Sequence, residues 1–526
     1  MTQSGASSYD ELPYASIAFA QTHPDRLCVI GRLFGMTPAL PSGSRVLEIG
    51  CAGGGNLLPM AMQMPNAQFV GIDLSPRQIE EGRAVVAQVG ATNVDLRVQD
   101  LMTVDASLGQ FDYIIAHGVF SWIPRAAQEK LLAIFRERLT PQGIAYVSYN
   151  TYPGWHMRGM VRDMMVYHAQ RFSELSMKVP QARALLDFLA DNAASDKGPY
   201  GLLLKQEVET LRQSADSYLA HEFLEEHNEP VYFHQFAERA MAQGLQYLGE
   251  ADFHTMLATN FPKKVADTLA AIAPQIIPLE QYMDFLRNRA FRQSLLVRND
   301  VVLNRSVTWQ MVEGFQVSAR LAPNGPVDLD PDKAVTFANQ RGAGITTSMP
   351  ISKAALAVLN DAFPATLGVA ELRDAARARL PGGLAAATEA VRLQDMETLN
   401  SDLLGCFSAG IAELRAEAPP LTTTVSERPQ VDAYARFQAR QHRPVANRRQ
   451  ELVNIDELGR QVLMLLDGNL DRAALLDALC AIAQTDELQV RKDNTTIRDP
   501  EIVRRVLADA LPRTYEALAR SGLLVA

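Results

Sequence analysis

The 526 residues carry 50 Lys and Arg against 60 Asp and Glu, a formal net charge of −10, and 47% of them are hydrophobic. That acidic balance argues against bulk attraction to nucleic acid or to an anionic membrane, and the length calls for about two to four domains with separate cores. The four cysteines, Cys28, Cys51, Cys406 and Cys480, show no C-x-x-C spacing, so a reducing compartment and no structural zinc are expected. The opening MTQSGASSYDELPY has no basic-then-apolar segment and no run is long enough to span a bilayer, which predicts a cytoplasmic protein without integral membrane association.

In chain order, residues 1–43 form an arm containing Tyr9 and Tyr14, expected to be helical over 24–34, and acting either as a strap on an apolar surface or as a lid over a pocket. From Ser44 the pattern alternates as in a doubly wound α/β fold. Strands are expected at 45–49, 68–72, 95–98, 111–116 and 143–148, with helices near 57–64, 76–89, 124–138 and 157–171. A ligand on such a parallel sheet sits beyond the carboxyl ends of the strands.

The loops found there carry the chemistry. VLEIGCAGGGN, Val46 to Asn56, is a strand breaking into glycines and then a helix, so that backbone N–H groups and the helix N-terminus can approach a polar ligand. AQFVGIDLS ends a second strand in Asp73, placed to accept both hydroxyls of a ribose. Gly50 is followed by Cys51 and Ala52 before Gly53, which departs from the dinucleotide G-x-G-x-x-G, and the order Glu48-x-Gly50-x-x-x-Gly54 resembles motif I of class I S-adenosylmethionine-dependent methyltransferases. Asp100 follows the third strand, either receiving an exocyclic adenine amine or capping a helix. After the fourth strand, HGVFSWIP offers His117 as a cofactor contact or proton shuttle, with Phe120 and Trp122 as pocket walls. After the fifth, Tyr149, Tyr152, Trp155 and His156 crowd what reads as a turn, which favours substrate contact over core packing.

YDELPY, AFAQTHPDRL, VLEIGCAGGGNLLPMA, FVGIDLSPRQI, FDYIIAHGVFSWIP and YVSYNTYPGWH together resemble bacterial protein-lysine methyltransferases typified by rickettsial enzymes that methylate outer membrane proteins. The resemblance implies a seven-stranded class I methyltransferase (Rossmann-like) core, a methyltransferase regulatory region, and a C-terminal helical, winged-helix-like part. Its cofactor would be S-adenosyl-L-methionine, with candidate contacts at Tyr9, Tyr14, Glu48, Gly50, Cys51, Ala52, Gly53, Asn56, Asp73, Leu74, Gln78, Asp100, Leu101, His117 and Gly118. Candidate catalytic residues are His117, Tyr149 and Tyr152, and Phe120, Trp122, Tyr149, Tyr152, Trp155 and His156 are candidate substrate contacts. The implied partner is a protein substrate, with an envelope or outer membrane protein before export as the candidate.

Downstream, residues 172–227 read as helical and lead into YLAHEFLEEHNEPVYFHQF, where His221, Glu222, His227 and His234 fit no H-E-x-x-H spacing, so no metal is expected. AMAQGLQYLGEADF and FRQSLLVRND supply the two last strands, with a basic amphipathic helix over 280–292 between them. The expected division is 1–43 arm, 44–175 first part of the core, 176–228 helical insertion, 229–305 completion of the sheet, and 306–526 C-terminal region. In the last, ISKAALAVLNDAFPATLGVAELRDAA and VNIDELGRQVLMLLDGNLDRAALLDAL each read helix, break, helix, as in a winged helix. Between them Arg436, Arg440, Arg443, Arg448 and Arg449 form a basic cluster read as a solvated face, suited to protein contact more than to DNA. The alternatives are a small-molecule methyltransferase and a cofactor-sensing DNA-binding regulator.

Overall fold

The computed structural model describes residues 16–193, 198–441, 444–485, 487–492 and 495–525. Its centre is a seven-stranded sheet of β1 (Arg45–Ile49), β2 (Gln68–Asp73), β3 (Val94–Val98), β4 (Phe111–Ala116), β5 (Leu139–Asn150), β6 (Leu245–Glu250) and β7 (Phe291–Arg298), in the order β3-β2-β1-β4-β5-β7-β6. The first five strands are parallel, and β7 runs antiparallel between β5 and β6. This is the class I methyltransferase sheet, with the two late strands where the sequence placed them.

Strand residues are apolar on both faces because helices cover both. Val46, Phe69, Tyr113, Ile144, Tyr146 and Leu295 pack on one side with Leu27 and Ile30 of α1 (Pro24–Leu33), Met60 of α2 (Leu57–Gln63) and Ile79 of α3 (Pro76–Val89). Leu47, Val70, Ile114, Val147 and Leu296 pack on the other with Leu131 and Phe135 of α4 (Arg125–Arg138).

Between β5 and β6 the chain leaves the sheet through α5 (Trp155–Ala169), α6 (Leu175–Ala193), α7 (Pro199–Arg212) and α8 (Asp216–Phe223), then returns through α9 (Phe233–Ala242). The first four close over their own apolar core of Val161, Leu186, Val208 and Phe223. The two ends of this excursion are tied together, since Val231 N donates to Asn150 O and Tyr152 N donates to Val231 O, both at 3.2 Å.

Between β6 and β7 lie α10 (Lys263–Ile272) and α11 (Ile276–Arg287). The basic helix expected over 280–292 therefore ends early, and Arg292 belongs to β7. Arg292 is wholly buried, bonded to Glu250 Oε1 (2.8 Å), Glu280 Oε2 (2.9 Å) and Asp284 Oδ2 (2.8 Å). Arg289 adds a second cation, paired with Glu250 and Asp284.

In the C-terminal region, residues 312–414 form a core that also takes in Val29 and Leu33 of α1. Residues 431–524 form another, with helices Ala433–Arg440, Glu457–Leu465, Arg472–Ala483 and Pro500–Arg520 and a short hairpin of Arg491–Lys492 with Thr495–Thr496. Two members of the arginine cluster, Arg448 and Arg449, are not on a solvated face. Arg448 is buried and donates to Met62 O (3.1 Å) and Pro420 O (3.0 Å) and pairs with Asp432; Arg449 is buried against Glu413, Ser318 and Pro364 O. Arg436 approaches Asp467 at 4.0 Å, Arg440 is exposed, and Arg443 lies outside the described residues. Arg448 and Arg449 are thus used between regions of the chain and are withdrawn from the basic surface on which the DNA-binding alternative rested. No helix among the described residues is long and apolar enough to cross a membrane.

Candidate active site

The glycine loop leaves β1 at Gly50, whose φ of +74° is a left-handed conformation that disfavours a side chain. Space forbids one too, because a Cβ there would lie 2.6 Å from Val119 Cγ2. The turn is held by Gly50 N and Cys51 N, which donate to Ile72 O at 2.8 and 3.2 Å. Ala52, also at positive φ, donates its N–H to Asp73 Oδ2 (2.9 Å), while Ser75 N donates to Asp73 Oδ1 (2.9 Å). Asp73 is thus fixed at the end of β2. Across the loop runs the arm: Ser16 Oγ accepts from Gly55 N (2.7 Å), and a Cβ on Gly55 would meet Ser16 O at 2.3 Å.

Glu48 and Asn56 form the floor. Asn56 Nδ2 donates to Glu48 Oε1 and to Thr22 Oγ1, both at 2.9 Å, and Asn56 Oδ1 accepts from Phe19 N (2.9 Å). Glu48 Oε2 is buried with no protein partner. Burial, opposed by the Asn56 bond and aided by the Asp73 charge, pushes the Glu48 carboxyl up to about 8. An orphaned buried acceptor beside a glycine turn and a fixed aspartate fits a cationic, ribose-bearing cofactor.

His117, at the end of β4, lies with Nδ1 2.9 Å from Tyr146 Oη and 3.2 Å from Ser148 Oγ. Its ring sits 4.0 Å from that of Phe19 and edge-on to Phe291 at 6.3 Å. Burial lowers its pKa to about 4, so the imidazole is neutral at physiological pH. Gly118 N donates to Ser148 Oγ (2.8 Å).

The strand ends therefore bring together Glu48, Gly50, Cys51, Ala52, Gly53, Asp73, His117 and Gly118. Leu74 is exposed, Gln78 is buried at the start of α3, and Tyr9 and Tyr14 lie outside the described residues. Asp100 accepts from Met102 N (2.9 Å) through Oδ1, capping the short turn Leu101–Thr103 in which Leu101 is buried. The Asn56 amide is consumed by protein partners, which makes it a brace of the loop instead of a ligand contact.

The aromatic expectations divide. Tyr149 lies in β5 one residue after Ser148 and so faces the opposite side of the sheet, where it stacks on Phe236 (4.1 Å) and bonds Ser294 Oγ (3.0 Å). Phe120 is buried edge-on against Phe236 at 5.2 Å. Trp155 is the first residue of α5 and buried near Phe223. These three belong to the packing: Tyr149 is still in a strand, Trp155 already in a helix, and Phe120 on the short helical turn Phe120–Trp122. Tyr152 and Trp122 are half-buried and His156 is exposed; Tyr152 stacks on His156 at 4.0 Å and its ring is 5.2 Å from that of Tyr232. His156 Nε2 is 3.2 Å from Tyr232 Oη. His221 pairs with Glu225 and His234 with Gln281, His227 is exposed, and burial raises Glu222 to about 7. Phe19, Tyr146, Ser148, Tyr232 and Phe291 were not anticipated. One signal was present: Ser148, a polar residue near the carboxyl end of an apolar strand.

Three family models match: the methyltransferase domain over residues 46–143, the "Predicted methyltransferase regulatory domain" over 215–298, and the "PKMT, C-terminal winged helix domain" over 427–523. An uncharacterized protein of Rickettsia prowazekii is 34% identical, over 98% of this chain and 93% of its own length. A second from the same organism is 41% identical over 46% of this chain and 96% of its own. The solved structure of PKMT2 from Rickettsia typhi in complex with AdoHcy is 31% identical, covers 98% of this chain and 100% of its own, and superposes with a TM-score of 0.87. The end-to-end match, over a sheet and a glycine loop of the required form, establishes that the chain belongs to the PKMT family of class I S-adenosylmethionine-dependent methyltransferases.

Proposed function

We propose that the enzyme methylates lysine side chains of an extended polypeptide, acting in the cytoplasm on an envelope or outer membrane protein before export. The observation that carries this reading is a set of rings around His117 together with a second set that runs from Tyr152 to the surface. Phe291, at 38% exposure, packs on His117 and pairs across the sheet with Asn150, two residues before Tyr152; Tyr152 adjoins Tyr232, which meets Phe285 at 6.1 Å, and Phe285 meets Tyr282 at 6.1 Å. Phe285 and Tyr282 are 48% and 41% exposed. Such a surface suits the aliphatic stem of a lysine and the residues around it better than a small polar metabolite.

S-adenosylmethionine supplies a methyl group on a sulfonium sulfur, open to in-line attack by a neutral amine. Asp73 would take the ribose hydroxyls, Asp100 Oδ2 the adenine edge, and Glu48 the cationic end. The acceptor lysine, with an ordinary pKa of about 10.4, must arrive without its proton, and the apolar walls of Phe19 and Phe291 favour the neutral form. Neutral His117, braced by Tyr146 and Ser148, orients the amine rather than acting as a strong base. Alignment and desolvation are then the main contributions of the protein.

The test is transfer of labelled methyl groups from the cofactor to bacterial envelope extract. Label recovered as methyl-lysine in protease-sensitive material is expected, whereas label confined to small molecules would exclude this reading. Phe285→Ala should raise KM for the polypeptide about fivefold by removing exposed contact area, with cofactor affinity unchanged. A loss of cofactor affinity instead would place Phe285 outside the acceptor path.

Glu48 gives a pH dependence. Its carboxyl titrates near 4.5 when unfolded and about 8 when folded, so the stability it contributes is complete below 4.5 and is lost as pH rises through 8. A cation bound to Glu48 favours the ionised form, so binding should release a proton and tighten by up to about tenfold per unit as pH rises from roughly 6 to 8. Calorimetry in buffers of different ionisation enthalpy reads the proton directly, and Glu48→Gln should abolish it. A proton count of zero in the unaltered enzyme would exclude Glu48 as the cation's partner.

A further inference from the structure

In the winged-helix region, Val445–Ala446 pairs antiparallel with Leu452–Val453, so residues 447–451 are the tip of a hairpin. Hairpin tips ordinarily meet solvent. This one is buried against α2, behind the glycine loop, with Gln450 wholly inaccessible and held at a φ of +64°, a conformation that longer side chains disfavour. Its amide explains the placement. Gln450 Nε2 donates to Asn56 O (2.8 Å) and Asn56 Oδ1 (3.1 Å), and Gln450 Oε1 accepts from Gln63 Nε2 (3.4 Å). Both donor hydrogens of Gln450 therefore end on Asn56, a residue 394 positions earlier in the chain.

Asn56 is the brace that meets Glu48, Thr22 and Phe19. With its carbonyl oxygen pinned by Gln450, its Nδ2 is turned toward Glu48 Oε1, which leaves Glu48 Oε2 open. A flipped Asn56 amide would remove the donor to Glu48 Oε1 and withdraw the acceptors of Phe19 N and Gln450. We propose that Gln450 is a positioning residue for cofactor binding, by which the C-terminal winged-helix domain completes the floor of the cofactor cradle. This rests on the assignment of the glycine loop and Glu48 to that cradle. It makes the cradle a composite of chain ends: the catalytic domain supplies the contacts, and the distant domain fixes their orientation.

The experiment titrates S-adenosylhomocysteine into the full-length protein and its variants. Gln450→Met keeps length and bulk but loses the donor; the expected result is a Kd about tenfold weaker, with kcat at saturating cofactor within about twofold. Gln450→Glu, which sets an acceptor against Asn56 O, should weaken binding at least as much and serves if the Met variant does not fold. Arg448→Lys is the control. It disturbs the same tip, through Met62 O, Pro420 O and Asp432, without touching Asn56. It should lower the melting temperature while leaving Kd within about twofold. An unchanged Kd in both Gln450 variants, or an equal weakening in Arg448→Lys, would overturn the proposal. No binding to the unaltered protein would instead overturn the cradle assignment beneath it.

Discussion

Replacing Asp73 by alanine is expected to weaken S-adenosylhomocysteine binding by at least about a hundredfold, because charge-assisted bonds to two ribose hydroxyls are each worth about 1.5–3 kcal/mol. The same carboxylate holds Ala52 N and Ser75 N, so its loss also frees the glycine turn. Asp73→Asn separates the two effects, since its single carbonyl oxygen still serves one of these N–H groups. An intermediate affinity is expected. Calorimetry on both variants, with a melting curve to show that each is folded, makes the measurement. Alanine at 73 with unchanged affinity would refute the ribose assignment.

The largest effect on stability should come from Arg292. Three carboxylates, Glu250, Glu280 and Asp284, meet two guanidiniums, Arg289 and Arg292, in a site closed to solvent. One negative charge is in excess, and one proton resolves it: burial pushes Glu280 up to about 7, and its Oε1 is the buried oxygen with no acceptor bond. Arg292→Met strands the remaining carboxylates and should cost about 3–5 kcal/mol, seen as a fall of about 10 °C in the first melting transition. Glu280→Gln, which imitates the protonated form, should be nearly neutral at pH 6. It should also remove the loss of stability that ionisation of Glu280 brings as pH rises through 7. Equal damage from the two substitutions would refute this distribution of charge.

The sheet was legible because its parallel strands are short apolar runs separated by helix caps and glycines, and because the two late strands retain the same apolar density. The cofactor loops were legible because a glycine turn and an acidic strand end are local patterns. The acceptor side was not. Tyr149 and Ser148 are neighbours in sequence, yet strand alternation sends one into the core and the other toward His117, and only the exact end of β5 decides which. Likewise Trp155 reads as a loop residue until the helix start is known. Arg448 and Arg449 looked like a solvated cluster because their partners, Met62 O, Pro420 O and Glu413, lie far off in sequence. Gln450 carries no local signal at all; its meaning is wholly tertiary.

The excursion between β5 and β6 leaves and rejoins the sheet at a single neck, where Asn150, Tyr152 and Val231 exchange backbone hydrogen bonds. What lies beyond a closed neck can lengthen, shorten or be exchanged without moving the strands that grip the methyl donor. Descendants of this architecture are thus free to vary α5 to α8 while keeping one unchanging chemistry at the sheet.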